Sequence, residues 1–242
     1  MAHQTMKTTA EDWCDLTVAT YANLIHDRMH FAQAAYRDGE WYCILGHSGG
    51  NINGETYDPA LGEMLRRTLL EPVGQWCAFW WDHPTMGKAA KRGALKWLAE
   101  RQPPVRWIPD RPISRANQEG RAAPFWAACR TRRVILVGPA HLTHLTLFDV
   151  AQHITVPDAT ACKQIDRICE EVRAALRGED ELVLVAAGMA TNVMIHRLWP
   201  ECRGKATLYD IGAALDPYCG VYSRGSFREP GWKEAVMPRN IP

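Results

Sequence analysis

The sequence predicts an α/β protein: a single Rossmann-like domain with a mostly parallel sheet flanked by helices. Three observations carry that prediction. Apolar, β-branched runs at 133–138, 182–188 and 206–210 have the pattern of strands buried on both faces. Segments of helical period separate or follow them, at 162–176 and 190–198. No internal repeat or low-complexity linker interrupts the 242 residues, so 1–242 reads as one domain, long enough to bury a sizeable core.

Taken in order, residues 15–35 place Leu16, Ala19, Leu24, Ile25 and Met29 near helical spacing, which predicts an opening helix. Arg37-Asp38-Gly39-Glu40 breaks that pattern, and 41–45 reads as a short buried strand ending at Gly46. Gly49-Gly50-Asn51 and Asn53-Gly54 are turn chemistry, making 46–57 a polar loop. Asp58 as N-cap with Pro59 in the first turn starts a helix that runs to about Leu70. A strand is expected over 73–81, a basic helix over 86–101 and a strand over 105–108. Loop follows from 110, becoming helical up to Cys129. After the strand at 133–138 another is expected at 153–156.

Composition narrows the class. With 47% hydrophobic and 23% charged residues the chain belongs with ordinary globular proteins rather than disordered ones. No apolar run reaches the length of a membrane span, and the first residues lack the apolar core of a secretory signal. Eight cysteines without a CxxC pair suit reduced thiols. A cytoplasmic location is the expectation.

The net charge of +1 hides an asymmetry. Between Met86 and Arg133 twelve Lys and Arg stand against three acids, with Trp97, Trp107 and Trp126 interleaved. Two readings are open. One is a solvated helix face whose Trp residues pack inward; the other is a footprint for a polyanion, either nucleic acid or a nucleotide diphosphate. On the second, Lys88, Lys91, Arg92, Lys96, Arg130, Arg132 and Arg133 are the candidate DNA contacts.

Chemistry in an open parallel sheet belongs at the carboxyl ends of its strands. Three ends are distinctive: Gly138-Pro139-Ala140-His141, Gly188-Met189-Ala190-Thr191-Asn192 and Asp210-Ile211-Gly212. Small residues there let N–H groups approach a phosphate. None matches a dinucleotide or phosphate-loop fingerprint. Asp38-Gly39-Glu40 sets two carboxylates either side of a glycine, which suits either a hard cation such as Mg²⁺ or Mn²⁺, or a plain solvated turn. The histidines show no metal-ligand spacing.

Tyr36-Arg-Asp-Gly-Glu-Trp41 resembles the R-x-G-D-G-E region of the GT-D-type glycosyltransferases. The blocks Val134-Ile-Leu-Val-Gly-Pro139, Ile154-Thr-Val-Pro157, Leu182-Val-Leu-Val-Ala-Ala-Gly-Met-Ala-Thr191 and Leu208-Tyr-Asp-Ile-Gly212 follow in that family's order. The resemblance spans about 36–218; Tyr36-Arg37 stands where the family has Arg, an aromatic and Gly.

The resemblance implies metal-assisted sugar transfer from a nucleoside-diphosphate sugar, a UDP-sugar, with Asp38 and Glu40 engaging Mn²⁺ or Mg²⁺ and the donor diphosphate. Gly138, Gly188 and Thr191 then fall beside the nucleotide, and Arg224 becomes a candidate phosphate clamp. An inverting transfer also needs a base, for which Asp210, Asp216 and His47 are the candidates in that order. The acceptor hydroxyl is read as a hydroxymethylated pyrimidine in phage-type DNA, or else a glycan or glycopeptide. Two competing functions are a non-catalytic nucleic-acid-binding module and a nucleoside-processing transferase or hydrolase.

Overall fold

A computed structural model describes residues 17–51, 54–79, 86–109, 112–157 and 159–242. The parts of the expected elements at 15–16, 80–81 and 110–111 lie outside the described residues. The strands form one seven-stranded, all-parallel sheet of order β3-β2-β1-β7-β6-β4-β5. They are β1 (Ala32–Tyr36), β2 (Trp76–Phe79), β3 (Arg106–Pro109), β4 (Val134–Gly138), β5 (Val150–Thr155), β6 (Glu181–Val185) and β7 (Ala206–Asp210).

The helices are α1 (Val18–His26), α2 (Asp38–Ile44), α3 (Pro59–Leu70), α4 (Lys88–Arg101), α5 (Pro112–Glu119), α6 (Ala123–Cys129), α7 (Ile165–Ala175) and α8 (Thr191–Cys202). Alternating strand residues divide the interior into two cores. Ala34, Tyr36, Val137, Val183 and Leu208 meet α2, α3, α4, α7 and α8 on one face. Val134, Leu136, Leu184 and Tyr209 meet α1, α5, α6 and the C-terminal turns on the other. The predicted fold class is therefore the observed one.

Two elements near the N-terminus differ from the sequence reading. The expected helix over 15–35 stops at His26, and 32–36 is the central strand β1. Ala-Gln-Ala-Ala-Tyr has helical propensity, but every residue of it is buried between β2 and β7. Placement in the sheet overrides the local preference. Of residues 41–45, expected as a strand, 41–44 belong to α2 instead and Leu45 caps it; the helix buries Trp41, Cys43 and Ile44 and leaves Tyr42 half-exposed. The cause is a helix start upstream: Glu40, in the third helical position, accepts the Arg37 N–H at 2.9 Å.

The basic segment also divides. Arg132 is buried, donating to the carbonyls of Ile25 (2.9 Å), Asp180 (2.6 Å) and Glu181 (3.3 Å). Arg133 reaches the Ala175 carbonyl at 3.0 Å, and Arg130 reaches those of Leu147 (2.8 Å) and Pro242 (3.0 Å). These arginines satisfy backbone acceptors around the amino ends of β4 and β6, including the helix-end carbonyls of α1 and α7. Burial removes Arg132 from the expected DNA contacts and leaves Arg133 half-buried, while Arg130 stays exposed. Trp126 is fully buried, and Trp97 and Trp107 pack edge-on against Trp41 and Tyr36. For the Trp residues the inward-packing reading holds. Lys88, Arg92 and Lys96 remain exposed on α4.

Replacing Arg132 with Gln should cost about 2–4 kcal/mol in urea unfolding, because buried carbonyls lose a charged donor. Equal midpoints for variant and wild type would show that this network does not support the fold.

Candidate active site

The sheet opens at one place. β1 and β7 share only two register pairs, Ala32 with Leu208 and Gln33 with Tyr209. Beyond them side chains replace the missing ladder: the Ala35 N–H donates to Asp210 Oδ2 at 3.1 Å, and Asn192 Nδ2 donates to the Ala35 carbonyl at 2.9 Å. Past β1 the chain enters α2 on one face, while past β7 it runs into the core of the other. Such divergence at adjacent carboxyl ends makes a crevice where an open α/β sheet binds ligands.

Charged groups collect along it. Arg37 Nη1 lies 3.6 Å from Asp210 Oδ2, and its guanidinium covers Gly212, where a Cβ would stand 3.2 Å from Nη1. The left-handed φ of 52° at Gly212 adds a second reason for glycine. Asp38 and Glu40 sit in the first turn of α2, where acids complement the helix dipole. Glu40 is buried, which pushes its carboxyl up to about 8; Arg37 opposes the shift and Asp210 adds to it. Arg224 is held below the usual guanidinium range by burial and then by Arg37. Asp216, Asp38 and Glu40 act the other way, so all these groups feel one another.

A part-buried pair stands nearby. His141, on the turn after β4, meets Asp216 Oδ1 through Nε2 at 3.0 Å, and the Ser223 hydroxyl donates to Oδ2 of the same carboxylate. Asp216 is thus the acceptor that orients a part-exposed histidine, an arrangement suited to proton transfer at His141. In the sequence His141 closes the distinctive Gly-Pro-Ala-His strand end but shows no spacing that would mark it out. The signal linking it to Asp216 is spatial, since 75 positions separate the two.

Several expected nucleotide contacts have other work. Gly138 leaves room for Leu142, whose Cδ1 would lie 2.5 Å from an added Cβ, while its carbonyl accepts from His153 Nε2 and the Val156 N–H. At Gly188, φ is 57° and an added Cβ would meet Glu55 Oε2 at 2.5 Å. The turn that was expected to approach a phosphate is filled by the Glu55 carboxylate, which also accepts from Asn51 Nδ2 at 3.0 Å. Thr191 is buried and its hydroxyl accepts the Ala187 N–H at 3.0 Å, closing the same turn. Asp210 is buried, with Oδ2 accepting the Ala35 N–H as above. His47 lies past the opposite end of α2 from Asp38, edge-on to Tyr42.

Among the described residues no group of three or more His, Cys, Asp or Glu is arranged to hold a metal alone. Asp38 and Glu40 stand two positions apart in the first turn of α2, where side chains do not face each other. Glu40 is buried and keeps one oxygen on the Arg37 N–H, and Asp38, half-exposed at the crevice, is the carboxylate open to a cation that takes its remaining ligands from phosphate and water. Among the described residues no helix is long and apolar enough to cross a membrane.

No family model and no curated protein matches the chain. Solved structures do, each over 84% of this chain. One, described as "A New Glycosyltransferase (DUF1792) from Streptococcus sanguinis", is 16% identical with a TM-score of 0.57 over 82% of its own length. A second, described by the statement that the highly conserved domain of unknown function 1792 "has a distinct glycosyltransferase fold", is 15% identical with a TM-score of 0.55 over 79%. A selenomethionine structure of a domain of unknown function 1792 gives 17%, 0.55 and 79%. At these identities the likeness establishes a shared fold.

Glu40 predicts a pH dependence. A carboxyl raised in the native state binds more protons folded than unfolded between about 4.5 and 8, so its contribution to stability is complete below that window and lost as pH rises through it. In metal-free buffer Glu40→Gln, which keeps an acceptor for the Arg37 N–H, should remove that decline and be the more stable protein at pH 8 and above. A stability difference from wild type that stays constant across the window would mean another group titrates.

Proposed function

We propose that this chain is a glycosyltransferase that moves a sugar from a nucleoside-diphosphate sugar, a UDP-sugar, to an acceptor hydroxyl with the help of Mn²⁺ or Mg²⁺. The observation that carries the reading is the crevice between β1 and β7. There two guanidinium groups, Arg37 and Arg224, share one electrostatic neighbourhood with Asp38 and Glu40. The fold shared with structures described as glycosyltransferases supports it.

Departure of a nucleoside diphosphate builds negative charge on its oxygens, and preorganised cations lower the barrier by stabilising that charge. Arg37 is already aimed by Asp210 and Gly212, so little reorganisation is needed there. Arg224, destabilised by its burial near Arg37, gains most from an incoming anion. Asp38 would hold the divalent cation, which supplies Lewis-acid stabilisation of the diphosphate when bound. His141, oriented by Asp216, takes the acceptor proton; it replaces Asp210 and His47 in that role, with Asp216 as its partner.

For the acceptor, the argument for a hydroxymethylated pyrimidine in DNA now rests on α4. Lys88, Arg92 and Lys96 stay exposed there, whereas Arg132 and Arg133 are committed to the fold.

Thermal denaturation with UDP-sugars, with and without Mn²⁺, tests the donor site. A ligand at a hundredfold excess over Kd stabilises the native state by about 2.7 kcal/mol, a clear rise in Tm. Wild type should show a metal-dependent rise. Asp38→Asn should lose the metal-dependent part and Arg224→Gln most of the whole, both remaining folded. No rise with any nucleotide sugar would overturn the reading.

A further inference from the structure

The exposed side of α2 continues from Asp38 into an aromatic surface. Asp38 and Tyr42 are four residues apart, hence neighbours on one helix face, while Trp41, Cys43 and Ile44 point into the core. The Tyr42 ring lies 5.3 Å from that of Tyr57 at an interplanar angle of 33°, and His47 stands edge-on to Tyr42 at 5.1 Å. Gly49 backs Tyr57: a Cβ there would touch its ring at 3.7 Å. Asp38 is close enough to help raise the Tyr57 hydroxyl above its usual range, after burial. Neither tyrosine is fully buried.

α4 joins this surface at its first turn. The Gly87 N–H donates to the Tyr42 hydroxyl at 3.3 Å. From there Lys88, Arg92 and Lys96 recur every fourth residue, all exposed, giving a cationic stripe with a step of about 6 Å along the helix. That step is comparable with the separation of successive phosphates on an extended strand. Glu100 lies 3.7 Å from Lys96, and both are solvated, so the pair neutralises little of the stripe.

Resting on the transferase reading, we propose that Tyr42 and Tyr57 form a stacking platform for one base of a single-stranded polynucleotide acceptor whose phosphates run along Lys88, Arg92 and Lys96. An aromatic face alone would serve a neutral sugar equally well, but a neutral glycan has nothing to offer three exposed cations. A lone nucleotide has too few phosphates to follow them. A duplex hides the faces of its bases, so only an unpaired or extruded base can lie on the platform. Because Asp38 shares the α2 face with Tyr42, a base stacked there is held one helical turn from the crevice where the donor binds.

Fluorescence anisotropy of a short labelled oligodeoxythymidylate, measured over a range of salt concentrations, tests the proposal. Tyr57→Leu should weaken binding about 10-fold with an unchanged salt slope, and Tyr57→Phe should restore it. The triple variant Lys88→Gln, Arg92→Gln, Lys96→Gln should lower the slope by about 2. Maltohexaose should not compete, and the thermal shift with UDP-sugar should survive in every variant. Wild-type-like binding by these variants overturns the proposal. So does a Tyr57→Leu protein that loses maltohexaose or UDP affinity while keeping the strand. A strand that binds as expected to a protein showing no nucleotide-sugar shift leaves the track standing and removes the transferase reading.

Discussion

The backbone of one residue organises this molecule. Ala35 sits where β1 has already parted from β7, with its N–H and carbonyl facing the gap rather than a strand. Asp210 and Asn192 satisfy both, so the sheet opens without leaving a buried backbone group unpaired. An orphaned peptide there would cost as much as a lost hydrogen bond on each side. The same carboxylate then faces Arg37, so the solution to a backbone problem also aims the first charged group of the crevice. Arg37 in turn offers its N–H to Glu40, starting α2 and fixing where Asp38 stands.

The two edges of the sheet use charge differently. At the amino edge, Arg130, Arg132 and Arg133 meet carbonyls, and the buried Glu181 accepts the Arg177 N–H. Arg132 and Arg133 are held by fixed partners there, while Arg130 keeps an exposed side chain beside its two carbonyls. At the carboxyl edge, Arg37 and Arg224 lie near each other and share a few carboxylates, one of them pushed toward neutrality by burial. Like charges held together in a crevice are poised for a ligand in a way that the amino edge is not.

Much of this was legible in the sequence and some was not, for physical reasons. The strands at β4, β6 and β7 announce themselves because a strand buried on both faces must be continuously apolar. β1 does not, since its alanines are small where α8 packs across it, and small residues carry little strand signature. Asp38 and Glu40 are visible in the sequence as a pair but not as the start of a helix, because 41–45 reads as a strand. Gly138 and Gly188 stand out in the sequence as special positions, but the packing reason for each is not local: Leu142 and Glu55 lie where a Cβ would stand. His141 with Asp216, Arg37 with Arg224, and the tyrosines beside α4 are juxtapositions across the fold, which no local spacing encodes.

The short ladder between β1 and β7 bears on how such a chain is made. During synthesis β1, β2 and β3 emerge long before β7, so Ala32 must wait for Leu208 with one edge of its strand unpaired. A waiting edge is a hazard, because it can recruit a stray strand from another chain. Here the edge is short and rich in alanine, with few β-branched side chains to hold an intruder. The feature that opens the crevice in the finished protein therefore also makes the nascent chain a poor template for aggregation while it waits for its last strand.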